Sequence, residues 1–522
     1  MKRYLLFLLA LSILLAACQP RPAENQPTPT RLPYTTPAWF DGQILYEIFV
    51  RSFYDSDGDG LGDLRGIEQN LDYLESLHVG VLWLMPIYPS PSDHGYDVAD
   101  YFAVNPDYGT LADLQSLVAA VHARGMYLIL DFVPSHLSNQ NPIFQDAYAN
   151  PQSQYSDWFV WRNDAHTLYA GFADSESMPR FNHYNPAVVD YLSQAALFWL
   201  DLDGDGDYTD GVDGFRVDNA TFPPVEFLMT LRQRIKAANP NALLLGETWV
   251  NDPNDLGRFF TDQFDALFDF PLYQTLTGGQ TSNGDGVLNG RARPILLTML
   301  FEEEAQFPPE AMPVRFLANH DTNRLYTKTG GNLDRLRLAA DLLACLPGPI
   351  MLYYGEEIGM PGQKGGPPYW DNYRREPMDW YALEAGPGQT TWFMPPDRWN
   401  RPADGISVEE QEADPLSLLN HYRAILGRRA ASPALRSGDF SLLELEAPPA
   451  AWGFLRQNGT EEVLCLYNFS DQPLEATLPA WPLAEGTPLD LLTGSNLPPA
   501  AAGAPYTLSL PPISSLWLVS QP

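Results

Sequence analysis

The chain has 522 residues, a formal net charge of −34 at pH 7 and 45% hydrophobic residues. This length suits two or three domains, and the apolar content is that of a folded protein rather than a disordered one. The acidic balance excludes nucleic acid and anionic ligands as partners held by charge, because both reward basic surfaces. It leaves neutral substrates and cations.

The N-terminus has the pattern of a processing signal over residues 1–18. Lys2 and Arg3 precede a short apolar run, which ends in Leu-Ala-Ala followed by Cys18. The run is too short for a comfortable membrane span, and its end resembles the lipobox of bacterial lipoproteins. We therefore expect cleavage before Cys18, acylation of this cysteine and an extracytoplasmic protein whose only membrane attachment is that anchor. A plain signal peptide is the alternative, and the Pro-rich residues 19–38 are expected to form a tether.

The next part of the chain alternates short apolar runs with stretches of helical period. The eight apolar runs cover residues 44–50, 79–87, 126–133, 212–218, 242–247, 264–270, 313–319 and 349–355. Their nearly continuous apolar character is typical of parallel strands buried on both faces. Between them, residues such as Leu111, Leu114 and Val118 keep helical spacing. Eight strands alternating with helices predict an α/β fold, a parallel (β/α)8 TIM barrel at residues 39–432.

Two segments interrupt this alternation, and a third region ends it. Residues 137–184 are rich in polar and aromatic residues without a strong period, which predicts a small excursion domain inserted after the third strand. Residues 362–412 are Gly- and Pro-rich with several Trp and Tyr, and we expect them to form a loop on the functional rim of the barrel. Residues 433–522 change to short strands and turns, which predicts a C-terminal all-β sandwich.

The two remaining cysteines are Cys345 and Cys465. Both lie in apolar runs, and they are far apart in sequence. We expect buried free thiols rather than a disulfide or a metal site.

An acidic loop, FYDSDGDGLGD at residues 53–63, resembles the calcium-binding loop of an EF-hand. An EF-hand needs a glutamate at the twelfth loop position, where this chain has Gly66, and a helix rather than a strand before the loop. The alternating carboxylates still favour a calcium site over a merely solvated surface run. The ligands expected from the spacing are Asp55, Asp57, Asp59 and the backbone carbonyl of Leu61. A second run, with Asp201, Asp203 and Asp205, is a second candidate calcium site and also lacks the glutamate.

Polar residues lie at the carboxyl ends of several predicted strands, where barrel active sites form. They are Asp131, His136, Arg216, Asp218, Glu247, His320 and Asp321. Paired carboxylates on an aromatic rim suit glycoside hydrolysis, in which one attacks the anomeric carbon or activates water and the other protonates the leaving oxygen. Arg216 is expected to lower the pKa of Asp218, and apolar and acidic surroundings to raise that of Glu247.

Four segments of the chain resemble, in order, the four signature regions of the α-amylase family of glycoside hydrolases. They read DFVPSH, GFRVDNAT, LLGETW and FLANHDTNR, and the likeness covers roughly residues 40 to 430. The resemblance implies a retaining hydrolase of α-glucosidic bonds, mainly α-1,4, in starch, maltodextrins or maltooligosaccharides. It implies a covalent glycosyl-enzyme and no organic cofactor.

The resemblance also implies roles for individual residues. Asp218 corresponds to the nucleophile, Glu247 to the general acid/base and Asp321 to the residue that holds the sugar's ring hydroxyls at the transition state. The implied substrate-binding residues are Arg216, His136, His320, Tyr96, Asp93 and Arg324. Asp131 is similar to a structural aspartate of the family. In a retaining enzyme the carboxyls of Asp218 and Glu247 are expected about 5–5.5 Å apart.

The sequence lacks the residues of one calcium site of the family and keeps those of another. Ser135 stands where many members have a calcium-binding Asn, and Thr221 and Phe222 stand where Lys-His often follows the nucleophile. We therefore expect no interdomain calcium of that kind. The acidic loop after the first strand, in contrast, is similar to a structural calcium site of the oligo-1,6-glucosidase-like branch, which adds Asp63 to the expected ligands.

The subfamily signals conflict. Asp93 resembles a residue of the exo-acting α-glucosidase branch, MPRFN at residues 178–182 resembles the neopullulanase-like branch, and Asn219 matches neither α-1,4 nor α-1,6 enzymes. An exo-α-glucosidase, an oligo-1,6-glucosidase and a transglycosylase are therefore alternatives. A non-catalytic glycan-binding lipoprotein is a more distant one, because the chain keeps all three catalytic carboxylates.

Overall fold

The computed structural model describes residues 36–279 and 284–521. All of them fall in one of the two compact units into which the chain divides, Tyr34–Pro522. The expected signal peptide, the anchor at Cys18 and nearly all of the tether lie outside the described residues and stay predictions. Across the described residues, none of the helices has the length and apolar character that crossing a membrane requires.

Among the described residues, eight parallel strands close into a barrel in chain order, with the first strand paired to both the second and the eighth. The strands are β1 (Ile44–Ile48), β2 (Val81–Leu84), β3 (Tyr127–Phe132), β4 (Gly214–Val217), β5 (Leu243–Gly246), β6 (Ala266–Phe268), β7 (Met312–Phe316) and β8 (Ile350–Tyr353). Each one overlaps the apolar run predicted for it. The predicted TIM barrel is therefore confirmed.

Helices follow the strands and extend beyond the barrel. They are α1 (Val50–Phe53), α2 (Leu64–Gln69), α3 (Leu71–Ser76), α4 (Leu111–Ala123), α5 (Pro142–Ala147), α6 (Pro186–Leu200), α7 (Val225–Ala238), α8 (Pro253–Gly257), α9 (Phe270–Thr277), α10 (Ile295–Glu304), α11 (Leu325–Lys328), α12 (Leu333–Cys345), α13 (Val408–Glu412), α14 (Leu418–Ala431) and α15 (Pro433–Ser437). Capping residues determine where some of these helices begin and end. Thr110 and Asp113 form a reciprocal capping box at the start of α4. Gly278, in the left-handed conformation at φ +85°, ends α9 after eight residues.

The strand period decides which side chains fill the barrel. Leu45, Ile129 and Leu245 belong to a fully buried apolar cluster inside it. Successive side chains of a strand alternate between faces, so the residues two positions further along point to the same interior. Those residues are Glu47, Asp131 and Glu247. The barrel interior thus changes from apolar to charged at its carboxyl end.

The segment between β3 and α6 contains α5 and isolated bridges rather than a sheet. The bridges pair His136 with Arg180, Phe159 with Phe181 and Trp161 with Tyr169. Aromatic packing supplies its core, since Phe144 contacts the rings of Phe159, Trp161 and Tyr169 at 4.9–5.8 Å between centroids. This irregular segment occupies the predicted excursion at residues 137–184.

The C-terminal region is built from antiparallel sheets. Its strands are β9 (Asp439–Leu442), β10 (Ala451–Asn458), β11 (Glu461–Asn468), β12 (Leu474–Leu478), β13 (Thr487–Asp490), β14 (Tyr506–Leu510) and β15 (Ser514–Gln521). Five of them form a sheet in the order β13-β15-β11-β10-β9, and β12 pairs with β14. Both sheets contribute to one apolar cluster that includes Leu464, Leu478 and Leu510. The prediction of a C-terminal all-β region is confirmed.

The two cysteines meet where the barrel and the C-terminal sheet pack together. Cys345 ends α12, Cys465 lies on β11, and both are free and fully buried. Their Sγ atoms are 3.1 Å apart. The expectation of buried free thiols is confirmed, and the structure adds their contact, which sequence distance had concealed.

Candidate active site

The guanidinium of Arg216 joins the carboxylates of three neighbouring strand ends. Arg216 is fully buried on β4, and its Nη1 donates to Asp131 at 2.9 and 3.0 Å and to Asp218 at 2.8 Å. Its Nη2 lies 2.6 Å from Glu247 Oε1. One cation therefore holds together Asp131, the proposed nucleophile Asp218 and the proposed acid/base Glu247.

The turn after β4 wraps around Glu247. The backbone N–H of Asn219 donates to Glu247 Oε2 at 3.0 Å, and that of Ala220 donates to the backbone carbonyl of Glu247 at 2.8 Å. Asn219 has φ +43°, a left-handed conformation that Asn tolerates better than most residues. The Thr221 hydroxyl, Oγ1, donates to the side-chain Oδ1 of Asn219 at 2.8 Å. The sequence marked Asn219 as a family mismatch, and the structure makes it a positioning residue for Glu247.

A second network surrounds Asp321. His320 Nε2 lies 3.3 Å from Asp321 Oδ2, and its Nδ1 contacts the buried carboxylate of Glu47 on β1. Arg375 Nη2 lies 2.9 Å from Asp321 Oδ1. The sequence reasoning missed both Glu47 and Arg375. A charged residue inside the apolar run of β1 was the available signal for Glu47.

Burial and shared charge shift the pKa values of the Arg216 network upward. Burial raises the pKa of Asp131 and of Glu247 to about 7, against the opposing effect of Arg216. The predicted rise for Glu247 is confirmed. Burial also raises the pKa of Asp218. Arg216 acts against this rise, as expected, but the cost of desolvation exceeds its attraction, so the expected net fall in the pKa is wrong. A single guanidinium cannot neutralise three carboxylates, so the network keeps a proton near neutral pH.

In the Asp321 network, the pKa of the carboxyl is shifted in the opposite direction. Burial alone would raise the pKa of Asp321, but His320 and Arg375 hold it well below its usual range. Burial alone would lower the pKa of His320, but Asp321 and Glu47 raise it to about 10. Asp321 is therefore ionised and His320 charged at neutral pH. The Asp321 side chain keeps 33% of its surface exposed, so its carboxylate is accessible to a ligand.

Tyr96 and Asp93 are the partly exposed members of the expected substrate-binding set. The Tyr96 hydroxyl donates to Asp131 Oδ2 at 3.0 Å, and its ring stacks on that of His320 with 5.5 Å between centroids. Asp93 Oδ2 accepts a hydrogen bond of 2.6 Å from the Asn372 side chain, which belongs to the loop after β8. Tyr96 thus bridges the two networks, and Asp93 is tied to the loop after β8.

The other four members of that set are buried. Arg216 and His320 are fully covered and hold carboxylates, as described above. His136 is also fully covered, because its Nε2 contacts the Tyr96 carbonyl at 3.0 Å, its Nδ1 contacts Ser135 Oγ at 2.7 Å and its ring stacks on Phe172. The expectation that His136 lines the substrate position is corrected to a supporting role.

Arg324 needs the same correction. It is 2% exposed, and its guanidinium donates to the backbone carbonyls of Arg374 at 2.9 Å and Tyr354 at 2.7 Å. It also lies 4.4 Å from the ring centre of Tyr353. Arg324 therefore anchors the loop after β8 from beneath and does not face the rim.

An aromatic contact joins the turn after β4 to the inserted segment. The ring of Phe222 lies 5.8 Å from that of Phe172, and the guanidinium of Arg180 lies 4.4 Å from its ring centre. Phe222 stands where many family members have a calcium-associated residue. In this chain Phe222 instead connects the turn after β4 to the inserted segment, through a ring contact with Phe172 and a cation–π contact with Arg180.

The two acidic loops each bring three carboxylates together. Oxygen atoms of Asp55, Asp57 and Asp63 lie within 4.8 Å of one another. Such a set fits the oxygen-rich coordination of calcium. Asp59 is exposed and lies outside this triple, with its Oδ1 accepting the N–H of Leu61 at 2.8 Å.

The second acidic loop differs in one ligand from the expectation. Asp201 and Asp203 are joined within 4.8 Å by Asp210 rather than by Asp205. The Asp205 carboxylate instead accepts the backbone N–H of Asp207 at 2.7 Å. Asp210 falls outside the alternating pattern and was missed, because the turn that returns it to Asp201 has no periodic signal.

Comparisons with known proteins agree on one family. A family model described as "Alpha amylase, catalytic domain" matches residues 47–438, and one described as "Maltogenic Amylase, C-terminal domain" matches residues 440–517. "Alpha-amylase 3" of Dictyoglomus thermophilum is 34% identical over 427 residues, which cover 78% of this chain and 81% of that protein. "Trehalose synthase/amylase TreS" of Mycobacterium tuberculosis is 30% identical, covering 92% of this chain and 90% of that protein. The crystal structure of the α-amylase from H. orenii has a TM-score of 0.78 and 31% identity, covering 92% of this chain and 99% of that one.

The Glu47→Gln variant tests the charge of His320. Removing one of the two carboxylates should lower the pKa of His320 from about 10, so its imidazole should titrate at lower pH. The measurement is an NMR titration of the imidazole C–H resonances, assigned with His320→Asn. A histidine whose pKa is raised by folding stabilises the fold fully at pH values below its ordinary, unfolded pKa. This stabilisation is lost as the pH rises through the pKa of the folded state. Native protein should therefore lose more stability between pH 7 and pH 10 than the variant.

The control for this variant is Glu475→Gln, which makes the same change on the exposed face of β12. It should leave the His320 resonances unchanged. An unchanged titration in Glu47→Gln would show that Glu47 does not set the charge of His320.

Proposed function

This chain belongs to the α-amylase family of glycoside hydrolases, and from that premise we propose that it cleaves mainly α-1,4 bonds of starch, maltodextrins or maltooligosaccharides with retention of configuration. The observation that carries the proposal is the guanidinium of Arg216, which holds Asp218 at 2.8 Å and Glu247 at 2.6 Å. Two carboxylates gathered at one point are what attack and proton donation at one glycosidic bond require. Their separation of about 5–5.5 Å stays a prediction.

In the first step we assign attack on the anomeric carbon to Asp218 and protonation of the leaving oxygen to Glu247. Burial raises the pKa of Glu247 to about 7, which keeps it largely protonated below neutral pH and suits a general acid. Asp218 accepts from Arg216 Nη1, which favours its ionised form over that of a carboxyl without such a partner. The product of this step is a covalent glycosyl-enzyme.

In the second step Glu247, now ionised, removes a proton from water, which attacks the same carbon from the face that the leaving group occupied. The bond between this carbon and Asp218 breaks, and Asp218 leaves as a free carboxylate. The N–H of Asn219 holds Glu247 Oε2 throughout and fixes the direction of the carboxyl. Asp321 is ionised by its two cationic neighbours, so it accepts hydrogen bonds from sugar hydroxyls in both steps. Tyr96 offers its ring as a stacking surface for the same sugar.

Exo action is the second candidate, and the placement of Asp93 favours it. Asn372 orients the Asp93 carboxylate at the rim through a hydrogen bond of 2.6 Å. A carboxylate fixed at this place could bind the hydroxyls of a terminal sugar and close the site at one end. Transglycosylation uses the same glycosyl-enzyme with a sugar in place of water, and one similar protein is named a trehalose synthase/amylase.

We propose a structural calcium ion for the loop of residues 55–63, held by Asp55, Asp57 and Asp63. The loop is already shaped by these carboxylates. Asp55 Oδ1 accepts the N–H of Gly58 at 2.6 Å, and Asp63 Oδ1 caps α2 by accepting the N–H of Gly66 at 2.7 Å. A bound cation would offset the repulsion between the three charges and hold this loop without taking part in catalysis.

Removing the two proposed catalytic carboxyls should affect activity in different ways. Glu247→Ala should lower kcat on maltooligosaccharides about 10²–10⁴-fold, and Asp218→Gly should lower it at least as far. Azide should restore both variants by different routes. In Asp218→Gly it replaces the carboxylate and yields a β-glycosyl azide, whereas in Glu247→Ala it attacks the glycosyl-enzyme and yields an α-glycosyl azide. Product anomers are read by NMR.

The pH profile provides the control for this assignment. Native kcat/KM should fall above about pH 7 as Glu247 loses its proton, and Glu247→Ala should lack this alkaline limb. Asp164→Ala, a change on the exposed surface of the inserted segment, should match the native enzyme. Identical azide products from both variants would contradict the two roles.

End-blocked maltoheptaose separates endo from exo action. An endo-acting enzyme should cleave it at a rate close to that of free maltoheptaose, whereas an exo-acting enzyme should leave it intact. Isomaltose and pullulan, measured beside it by chromatography of the products, report the preference between α-1,4 and α-1,6 bonds. If the action is exo, Asp93→Ala should lower kcat/KM for maltose by about 10-fold or more, the cost of one charged hydrogen bond. Cleavage of blocked and free substrates at equal rates would exclude exo action.

Calcium bound at the loop of residues 55–63 should stabilise the fold. A hundredfold excess over the dissociation constant contributes about 2.7 kcal/mol. Chelation should therefore lower the Tm of the native chain by several degrees, measured by calorimetry. Asp57→Ala should show a smaller loss on chelation, and the surface control Asp164→Ala should show the full loss. If chelation lowers the Tm of Asp57→Ala as much as that of the control, this loop binds no calcium.

A further inference from the structure

The inserted segment between β3 and α6 has an open cavity of its own. Its volume is about 290 Å³, close to the lower limit of about 300 Å³ for ligand pockets. Tyr148, at the end of α5, lines it together with residues of the stretches 162–169 and 171–176. None of the described residues that line it belongs to the Arg216 or Asp321 network. The cavity is therefore distinct from the candidate active site.

One part of the lining is aromatic and apolar. The ring of Tyr148 is 44% exposed and meets that of Tyr169 edge to face, with 6.2 Å between centroids. The Tyr169 ring in turn packs on Phe144, in the core of the inserted segment, at 4.9 Å. The exposed side chain of Leu168 also lines the cavity. A partly exposed ring that is held at its edge is a surface on which the C–H face of a sugar ring packs.

Another part of the lining is charged. Arg162 Nη2 lies 2.9 Å from Asp174 Oδ1, and both side chains are largely exposed. Glu176 also lines the cavity, and in the part of the chain that the structure describes no group donates to its carboxylate. A guanidinium has five N–H donors, of which this ion pair uses one, and a carboxylate only accepts. The cavity thus offers donors and acceptors together, as neighbouring hydroxyl groups require.

The charge balance of the lining favours a neutral ligand. Arg162 and Asp174 offset each other, which leaves the negative charge of Glu176. An anionic ligand would need an excess of cationic groups, and a metal ion would have to bind beside the guanidinium. A wholly apolar ligand would bury these charges without partners. A neutral ligand with many hydroxyl groups and apolar C–H faces fits both parts of the lining.

Hydrogen bonds hold the walls of the cavity in place without a ligand. The side-chain Oδ1 of Asn163 accepts the backbone N–H of Thr167 at 3.0 Å, and its Nδ2 donates to the Thr167 hydroxyl at 2.8 Å. On the facing side, the Tyr169 hydroxyl donates to the Glu176 carbonyl at 2.6 Å. A site formed in advance loses less conformational entropy when a ligand binds.

Four residues at the cavity have a left-handed backbone conformation that residues other than glycine rarely adopt. They are Ala149 at φ +54°, His166 at φ +55°, Ala173 at φ +48° and Asp174 at φ +59°. Asp174 lines the cavity, and each of the others adjoins a lining residue in sequence. The N–H of Ala149 donates to the His166 carbonyl at 2.9 Å and so joins two of the strained positions. Backbone strain of this kind is concentrated at ligand sites.

The cavity is connected to the rim of the candidate active site. Gly171 lines the cavity and is followed directly by Phe172. The ring of Phe172 lies 4.6 Å from that of His136 and 5.8 Å from that of Phe222. Phe222 belongs to the turn after β4, four residues beyond Asp218. The same short stretch of chain therefore contributes to the cavity and packs against the turn that follows the proposed nucleophile.

We propose that this cavity binds glucose units of an α-glucan chain away from the bond that is cleaved. Tyr148 provides the stacking surface, and Arg162 and Glu176 bind hydroxyl groups. The proposal rests on the proposed function, because it takes the same polymer as the ligand of both sites. Two sites that bind one polymer act together, since a chain held at the first is at high effective concentration near the second. A short oligosaccharide occupies one site at a time and lacks this advantage.

Binding to a glucan polymer tests the proposal in the full chain. The reference variant carries Glu247→Ala, so that the polymer is not cut, and native gels that contain amylopectin should retard it. Adding Tyr148→Ala and Arg162→Ala should raise the apparent Kd about 10-fold or more, because a stacking contact and a charged hydrogen bond are lost. Adding Tyr184→Ala and Arg258→Ala instead makes the same substitutions at exposed positions outside the cavity and should leave the Kd of the reference. Equal retardation of all three variants would overturn the proposal.

Kinetics separates the cavity from the active site. In a chain that keeps Glu247, the cavity pair of substitutions should raise the ratio of KM for amylose to KM for maltotriose about 10-fold, and the control pair should leave it unchanged. If the native chain hydrolyses both substrates and the cavity pair does not change this ratio, the cavity is refuted and the proposed function stands. If the native chain hydrolyses neither, the proposed function fails, and retardation in the gel still decides the cavity. Circular dichroism checks that each variant is folded.

Discussion

The buried guanidinium of Arg216 is the constraint on which the carboxyl end of the barrel depends. A lone buried charge is costly, and so are three buried carboxylates, yet the guanidinium lies within 3.0 Å of all three carboxylates and offsets part of that cost. This is possible because β3, β4 and β5 are adjacent parallel strands. Their register places Asp131 level with Arg216, and Glu247 lies two positions beyond Leu245, the residue of β5 that is level with Arg216. Replacing Arg216 would leave the three carboxylates without their shared cation. The candidate active site is therefore also part of the barrel core at its carboxyl end.

Two neighbouring networks use opposite charge balances to separate the pKa values of similar carboxyls. Around Arg216, three carboxylates share one cation, and burial raises their pKa values. Around Asp321, two cations face one exposed carboxylate, and its pKa falls. Glu47 completes the second network by keeping His320 charged from inside the barrel. A proton donor and a permanently ionised acceptor thus arise beside each other from identical chemical groups.

Features that repeat along the chain could be predicted from the sequence, whereas features that depend on contacts between distant residues could not. All eight strands and the polar residues at their ends followed from apolar runs and the two-residue period. The partnership of Glu47 with His320 spans 273 residues and has no local signature. The pKa of Asp218 was predicted in the wrong direction because a neighbouring arginine is visible in sequence, whereas the depth of burial is not. For the same reason Arg324 was expected at the rim, although its side chain lies beneath it.

The acidic loop after β1 and the loop after β8 depend on each other. The backbone N–H of Asp55 donates to the Gly388 carbonyl at 2.9 Å, and that of Thr391 donates to the Gly60 carbonyl at 2.9 Å. Gly60 has φ +94°, and a Cβ there would lie 2.7 Å from the Thr391 side chain, so this close contact requires glycine. A cation bound in the acidic loop would therefore also restrict the loop after β8, which carries Arg375 and, through it, the carboxylate of Asp321.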